Sequence, residues 1–216
     1  VQSDGRIVVV DGDFAIRRYH ADGTSDGVLA SIPSGAGYAV AIDQDIVAVG
    51  TSSVGDDGDF AVMRLAFDGS VSAQVATHLG GHANDYGLSM ALQPDGKILV
   101  AGYAMLGTPK IGLSRLNADG SLDTDFGDGG TVVTTIGTSA RATAVAIQPD
   151  GRIVAGGYAS VAGTSLFVAV RYESDGSLDA SFGSGGVAST TVGTGSAYAE
   201  AMVLQPDGKI VLAGDA

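Results

Sequence analysis

Apolar residues come in short runs such as AVAI, IVLAG and FAV, set among glycines and Asp-Gly pairs. No stretch of ten or more residues keeps an apolar period of 3.6 without a glycine interrupting it. Short Val/Ile/Ala/Thr runs between tight-turn residues predict many strands and many turns. The 34 glycines, against ordinary usage of about 7%, belong to the same picture. The pattern predicts an all-β protein.

The runs repeat. LQPDGKILVAG (Leu92 to Gly102), IQPDGRIVAGG (Ile147 to Gly157) and LQPDGKIVLAG (Leu204 to Gly214) are variants of one phrase, and the chain opens with VQSDGRIVVV. The Ile after each turn, at Ile7, Ile46, Ile98, Ile153 and Ile210, recurs at intervals of 39, 52, 55 and 57. A second phrase has the same period: Arg18, Arg64, Arg115 and Arg171 each precede an Asp by four residues, at Asp22, Asp68, Asp119 and Asp175. Each unit parses into four strands, A to D. A Gln-Pro-Asp-Gly turn joins A to B, with Gly96, Gly151 and Gly208 at its left-handed position. A loop of variable length joins B to C, and a second Asp-Gly turn joins C to D. Antiparallel four-stranded units of 50 to 57 residues predict the blades of a β-propeller. Successive apolar positions, without strict alternation, suit a blade covered on both faces by its neighbours.

The expected boundaries are 1–37 for a partial first blade, 38–85, 86–141 and 142–197 for three whole ones, and 198–216 for the start of a fifth. The chain begins before a strand B and stops after another, so its ends overlap instead of closing a ring. It has no initiating Met and no visible signal peptide. An arc of a larger ring is the expectation, its remaining blades supplied by the same polypeptide or by another copy.

Charge narrows the partners. Formal net charge is −13 and only 16% of residues are charged. Such a surface repels phosphate backbones and anionic headgroups, so neither nucleic-acid binding nor membrane insertion is expected. With no cysteine, disulfides, cysteine-ligated zinc and thiol catalysis are excluded.

QPDGKILVAG, followed by RLNADGSLDTDFGDGG (Arg115 to Gly130) and RYESDGSLDASFGSGG (Arg171 to Gly186), resembles the delta-60 repeat family of bacterial propeller-like proteins. HLGGHANDYGLSMAL (His78 to Leu92) is similar to the related bacterial seven-bladed propeller repeat. The first unit departs from the pattern after Gly23, and the second has Asp-Gln-Asp (Asp43 to Asp45) in place of the longer turn. The resemblance implies a propeller within a large secreted or cell-surface protein, and it brings no catalytic residues.

The repeated Arg and Asp are read as structural, the Asp capping its turn and the Arg reaching carbonyls or a carboxylate across blade edges. Asp123, Asp125 and Asp128, and Asp56, Asp57 and Asp59, are the candidate calcium ligands. The first set misses the 1, 3, 5 spacing of a calcium loop, and a solvated loop is the preferred reading. His78, His82 and Asp85 have the spacing of a zinc pair only if helical, and here they lie in a loop. Ser89 falls inside a strand and lacks the helix a nucleophile elbow needs. Tyr38, Tyr86, Tyr103, Tyr158 and Tyr198 near strand ends are candidates for stacking on sugars, or else packed rim residues. No catalytic set, bound cofactor or resident metal is assigned. The expected function is a non-enzymatic extracellular scaffold or interaction module for protein or glycan. The alternatives are a polysaccharide lyase or glycosidase, and a self-assembling surface component.

Overall fold

A computed structural model describes residues 1–52, 58–80 and 84–216. Among the described residues the regular elements are all strands. β1 (Ile7–Val10), β2 (Ala15–Tyr19) and β3 (Ser25–Ser31) form a three-stranded sheet. Three four-stranded sheets follow: β4 (Gly35–Ile42), β5 (Ile46–Ser52), β6 (Asp59–Leu65) and β7 (Val71–Thr77); β8 (Tyr86–Leu92), β9 (Ile98–Leu106), β10 (Thr108–Leu116) and β11 (Thr131–Thr134); β12 (Ser139–Ile147), β13 (Ile153–Val161), β14 (Thr164–Tyr172) and β15 (Val187–Thr190). β16 (Tyr198–Leu204) and β17 (Ile210–Asp215) pair in a fifth. All pairings are antiparallel between sequence neighbours. The first strands β4, β8, β12 and β16 lie against one another from sheet to sheet. This is the architecture of a β-propeller, with the first strand of each blade innermost.

Both turns of a blade use one device. In the A–B turn the Gly96 N–H donates to the Gln93 carbonyl and the Gln93 N–H to that of Lys97, with Gly96 at φ +84°. In the C–D turn Gly120 and Asn117 repeat it, with Gly120 at φ +89°. A type I turn followed by a left-handed residue matches the twist of the strands it joins, and glycine takes that place without a Cβ penalty.

Successive apolar positions are explained by the two covered faces. In β5, Ile46 and Ala48 pack toward the first sheet and Val47 and Val49 toward the third. In β9, Ile98 and Val100 face the second sheet while Leu99 and Ala101 face the fourth. All seven residues of β5 are buried.

Two of the expected variable B–C loops are mostly strand. β9 and β10 run on to a single intervening residue, Gly107, and β13 and β14 meet at Ala162-Gly163. Both residues of that pair have positive φ, 51° and 85°, the conformation of a two-residue hairpin turn whose twist continues the ladder.

Every innermost strand has one bulge at the same place. The register slips at Tyr38 in β4, Leu88 in β8, Thr143 in β12 and Glu200 in β16. Opposite each lies a glycine of the second strand, Gly50, Gly102, Gly157 or Gly214. A Cβ there would overlap the carbonyl oxygen of Ala36, Tyr86, Arg141 or Tyr198, respectively. The glycine that ends each B-strand phrase is therefore required by a close backbone approach.

Candidate functional site

Because strands alternate in direction, A–B and C–D turns share one face of the molecule, while B–C and D–A connections share the other. The two faces are built differently.

The turn face is locked. Asp22, Asp68, Asp119 and Asp175 each accept the backbone N–H and the hydroxyl of the Thr or Ser two residues on. Those hydroxyls come first among the causes that hold the four carboxyls below the ordinary carboxylate range. The arginines use other partners. Arg18, Arg115 and Arg171 donate from Nε to an aspartate eight residues on, Asp26, Asp123 and Asp179, each at 2.6 Å. Arg64 uses Asp45 of the A–B turn instead, at 2.7 Å. Arg18, Arg64 and Arg115 also cross to the next blade. Arg18 Nη1 donates to the Phe67 carbonyl, Arg64 Nη1 to that of Ala118, and Arg115 Nη1 to that of Ser174. The acceptor is always the second residue of the neighbouring C–D turn, so one guanidinium joins two blades.

Asp123, weighed as a calcium ligand, is spent on this lock. Its Oδ2 accepts from Arg115 at 2.6 Å and Lys97 at 2.9 Å. Burial works against its charge, but Lys97 and Arg115 hold the carboxyl below the usual value. Asp56 and Asp57, from the second calcium set, lie outside the described residues, as does His82. Ser89 has a packing role: its Oγ accepts the Val145 N–H of the next blade at 3.2 Å.

The opposite face carries aromatic rings. Tyr86, the first residue of β8, stacks on Tyr103 of β9 with centroids 4.7 Å apart and planes 17° from parallel. The Arg141 guanidinium of the next blade lies 4.3 Å from the Tyr103 centroid. Tyr158 and Tyr198, another blade along, meet edge to face at 4.9 Å. Burial pushes the Tyr103 hydroxyl upward; Arg141 offsets this, while the hydroxyls of Tyr86, Tyr38 and Tyr158 lie near enough to add to it. The rings thus form one row across blades two to five, with Tyr38 and Tyr198 exposed. Arg141 is the member missed in the sequence. It takes the place in β12 that Tyr86 takes in β8 and Tyr198 in β16, counting back from Ile147, Leu92 and Leu204.

Next to the row, Asp59, His78 and Asp85 converge. Their ligand-type atoms all lie within 4.8 Å of one another. His78 Nδ1 is 2.9 Å from Asp59 Oδ1 and 3.8 Å from Asp85 Oδ2. The buried Asp85 carboxylate accepts the Leu79 N–H at 2.8 Å and the Met105 N–H at 3.0 Å. Its burial raises its pKa, partly offset by those two bonds and by His78.

Three stretches of the chain, residues 2–27, 93–126 and 148–182, match a sequence-family model described as a domain of unknown function (DUF5122) beta-propeller. No curated protein matches the chain. Among solved structures it is similar to the periplasmic gluconolactonase of Pseudomonas aeruginosa, with a TM-score of 0.60 and 19% identity over 94% of this chain and 59% of that one. It is also similar to a protein of unknown function from Bacteroides caccae, with a TM-score of 0.56 and 14% identity over 97% of this chain and 64% of that one. The chain thus spans less than two thirds of either neighbour. These likenesses agree with the sheets in making the chain a β-propeller, and they reach no further than the fold.

Proposed function

We propose that this chain is a non-enzymatic interaction module of delta-60 repeat type, part of an extracellular or cell-surface bacterial protein, which binds carbohydrate along the tyrosine row. The observation that carries this reading is the row itself, tyrosines and one arginine gathered from successive blades onto the face opposite the locked turns. Aromatic faces stack on the apolar faces of sugar rings, and phenolic hydroxyls with a guanidinium supply donors for their hydroxyls and carboxylates. The blades hold these groups on rigid strands, which limits the ordering cost of binding. Secretion rests on the resemblance of the repeat. The likeness to a gluconolactonase agrees with a sugar-related ligand only by analogy of fold.

Affinity electrophoresis through gels containing neutral or uronate-bearing polysaccharides tests the reading. At least one polysaccharide is expected to retard the chain without generating new reducing ends. Tyr38→Ala, at an exposed ring, is expected to weaken that binding by roughly tenfold, the equivalent of about 1.4 kcal/mol. Migration unaffected by every polysaccharide, or equal retardation of the variant, would overturn the carbohydrate reading. Release of reducing ends would favour an enzyme.

A further inference from the structure

We propose that Asp59, His78 and Asp85 form a binding site for a divalent transition metal of zinc type, at the junction of the second and third blades. The site departs from the repeat. Aligned on the repeated arginines, Asp59 corresponds to Asp13 of the first blade and to Lys110 and Leu166 of the next two. In the TTIG and TTVG phrases that close those blades, His78 is replaced by Thr135 and Thr191. Aligned on the ends of the innermost strands, Asp85 corresponds to Gly35, Ala140 and Ala197. Ala140 and Ala197 are buried small residues, so the scaffold needs no carboxylate at this place. His78 and Asp85 thus stand where the aligned blades carry threonine, glycine or alanine, and they meet Asp59 at one blade junction.

Negative charge is concentrated at this junction. Two carboxylates meet here, one of them fully buried. Among the described residues, His78 is the one basic side chain in ion-pair range of either. A buried carboxylate is costly unless paired, and a divalent cation neutralises both at once.

The donor atoms are spaced for one ion. The two separations from His78, 2.9 and 3.8 Å, bracket the edge of about 3.4 Å that tetrahedral bonds of about 2.1 Å require, and all three donor atoms lie within 4.8 Å of one another. Asp85 is held in place. Its backbone N–H donates to the Gly58 carbonyl at 2.6 Å, its carbonyl accepts the Thr51 hydroxyl at 3.3 Å, and two backbone N–H groups orient its carboxylate. Such outer bonds orient a metal ligand without using all its lone pairs. His78 and Asp59 are partly exposed, which gives an ion access. One imidazole with two carboxylates suits zinc and its neighbours, whereas calcium takes six to eight oxygens. Remaining positions would be filled by water or by a ligand hydroxyl. The site stands on its own residues and does not depend on the carbohydrate reading.

Titration of the chelator-treated chain with zinc chloride in a calorimeter, alongside thermal unfolding, tests this. One ion per chain is expected, with a higher unfolding temperature. His78→Ala and Asp59→Asn are each expected to weaken binding by about 10–100-fold or more, while His20→Ala leaves it unchanged. Asp59→Asn keeps the side-chain volume and serves if the histidine variant fails to fold. Absence of binding by the unaltered chain, equal binding by Asp59→Asn, or equal affinity for calcium would each overturn the assignment.

Discussion

A single glycine shows how little freedom some positions have. Gly102 faces the bulge of β8, and a Cβ on it would occupy the position of the Tyr86 carbonyl oxygen. Gly12 has ordinary backbone angles, and a Cβ there meets nothing within 4 Å. Gly102→Ala is expected to destabilise the chain by about 1–3 kcal/mol, and Gly12→Ala to stay within about 0.5 kcal/mol, in urea unfolding. Equal midpoints would contradict the close approach. The arginines give a second comparison. Arg115 and Asp123 are almost fully buried, at 7% and 6% side-chain exposure, and Arg115 also holds the Ser174 carbonyl. Arg171 is 21% exposed, and its Asp179 has a further partner, Arg152, at 3.2 Å. Arg115→Ala leaves a buried carboxylate with Lys97 as its one cation and is expected to cost about 3 kcal/mol, more than Arg171→Ala. The reverse order in denaturant midpoints would argue against the lock between blades. The repeated Arg was visible in the sequence; its partner was not, because the aspartate eight residues on is missing from the second unit, where Asp45 of another turn replaces it.

Within each blade, the strands differ sharply in protection. The second and third strands are paired on both edges and covered on both faces, whereas fourth strands such as β7 and β15 leave alternate or consecutive residues exposed. Hydrogen exchange followed by mass spectrometry is expected to show β5, β9 and β13 exchanging slowest and β7 and β15 fastest. Uniform exchange across a blade would mean that blades open as units. The A–B and C–D hairpins were legible because their turn chemistry is local: Asp and Gly, joined by Pro in the A–B turn, decide it within four residues. The bulges were not, although the glycine opposite each stood in plain view at the end of every B-strand phrase. A slip of one residue depends on which neighbouring carbonyl fills the space left by the missing side chain.

The whole molecule is bound together on one face by ionised aspartates. The turn-capping carboxyls titrate below their ordinary value, and Asp179 is held at about 2, first by the Ser181 hydroxyl, then by the Ser181 N–H and Arg171. A group whose pKa is lower in the folded chain binds its proton more readily when unfolded. Its stabilisation is present above about 3.9 and is lost as pH falls toward the folded value. Asp85 has the opposite sign: burial raises its pKa, so its ionisation on passing upward through that value weakens the fold. The capping groups outnumber it, and the unfolding temperature is expected to fall as pH drops from about 4 to about 2. A midpoint constant down to pH 2 would show that the caps contribute nothing.

The order of strands, the two turns of each blade and the residues buried between blades were all determined by local sequence. A hairpin needs only its own residues, and a sheet covered on both faces shows itself as an unbroken apolar run. Tertiary structure alone decided what meets across blades. Tyr86, Arg141 and Tyr198 are about one repeat apart along the chain, and they share a face because strand direction and blade packing bring equivalent positions to one rim. The same holds for the acidic cluster. His78 and Asp85 stood out by their spacing, but Asp59 joins them because β6 and β7 pair with Phe60 opposite Thr77, which sets Asp59 beside His78. Register and packing belong to pairs of strands, and neither can be read from one strand at a time.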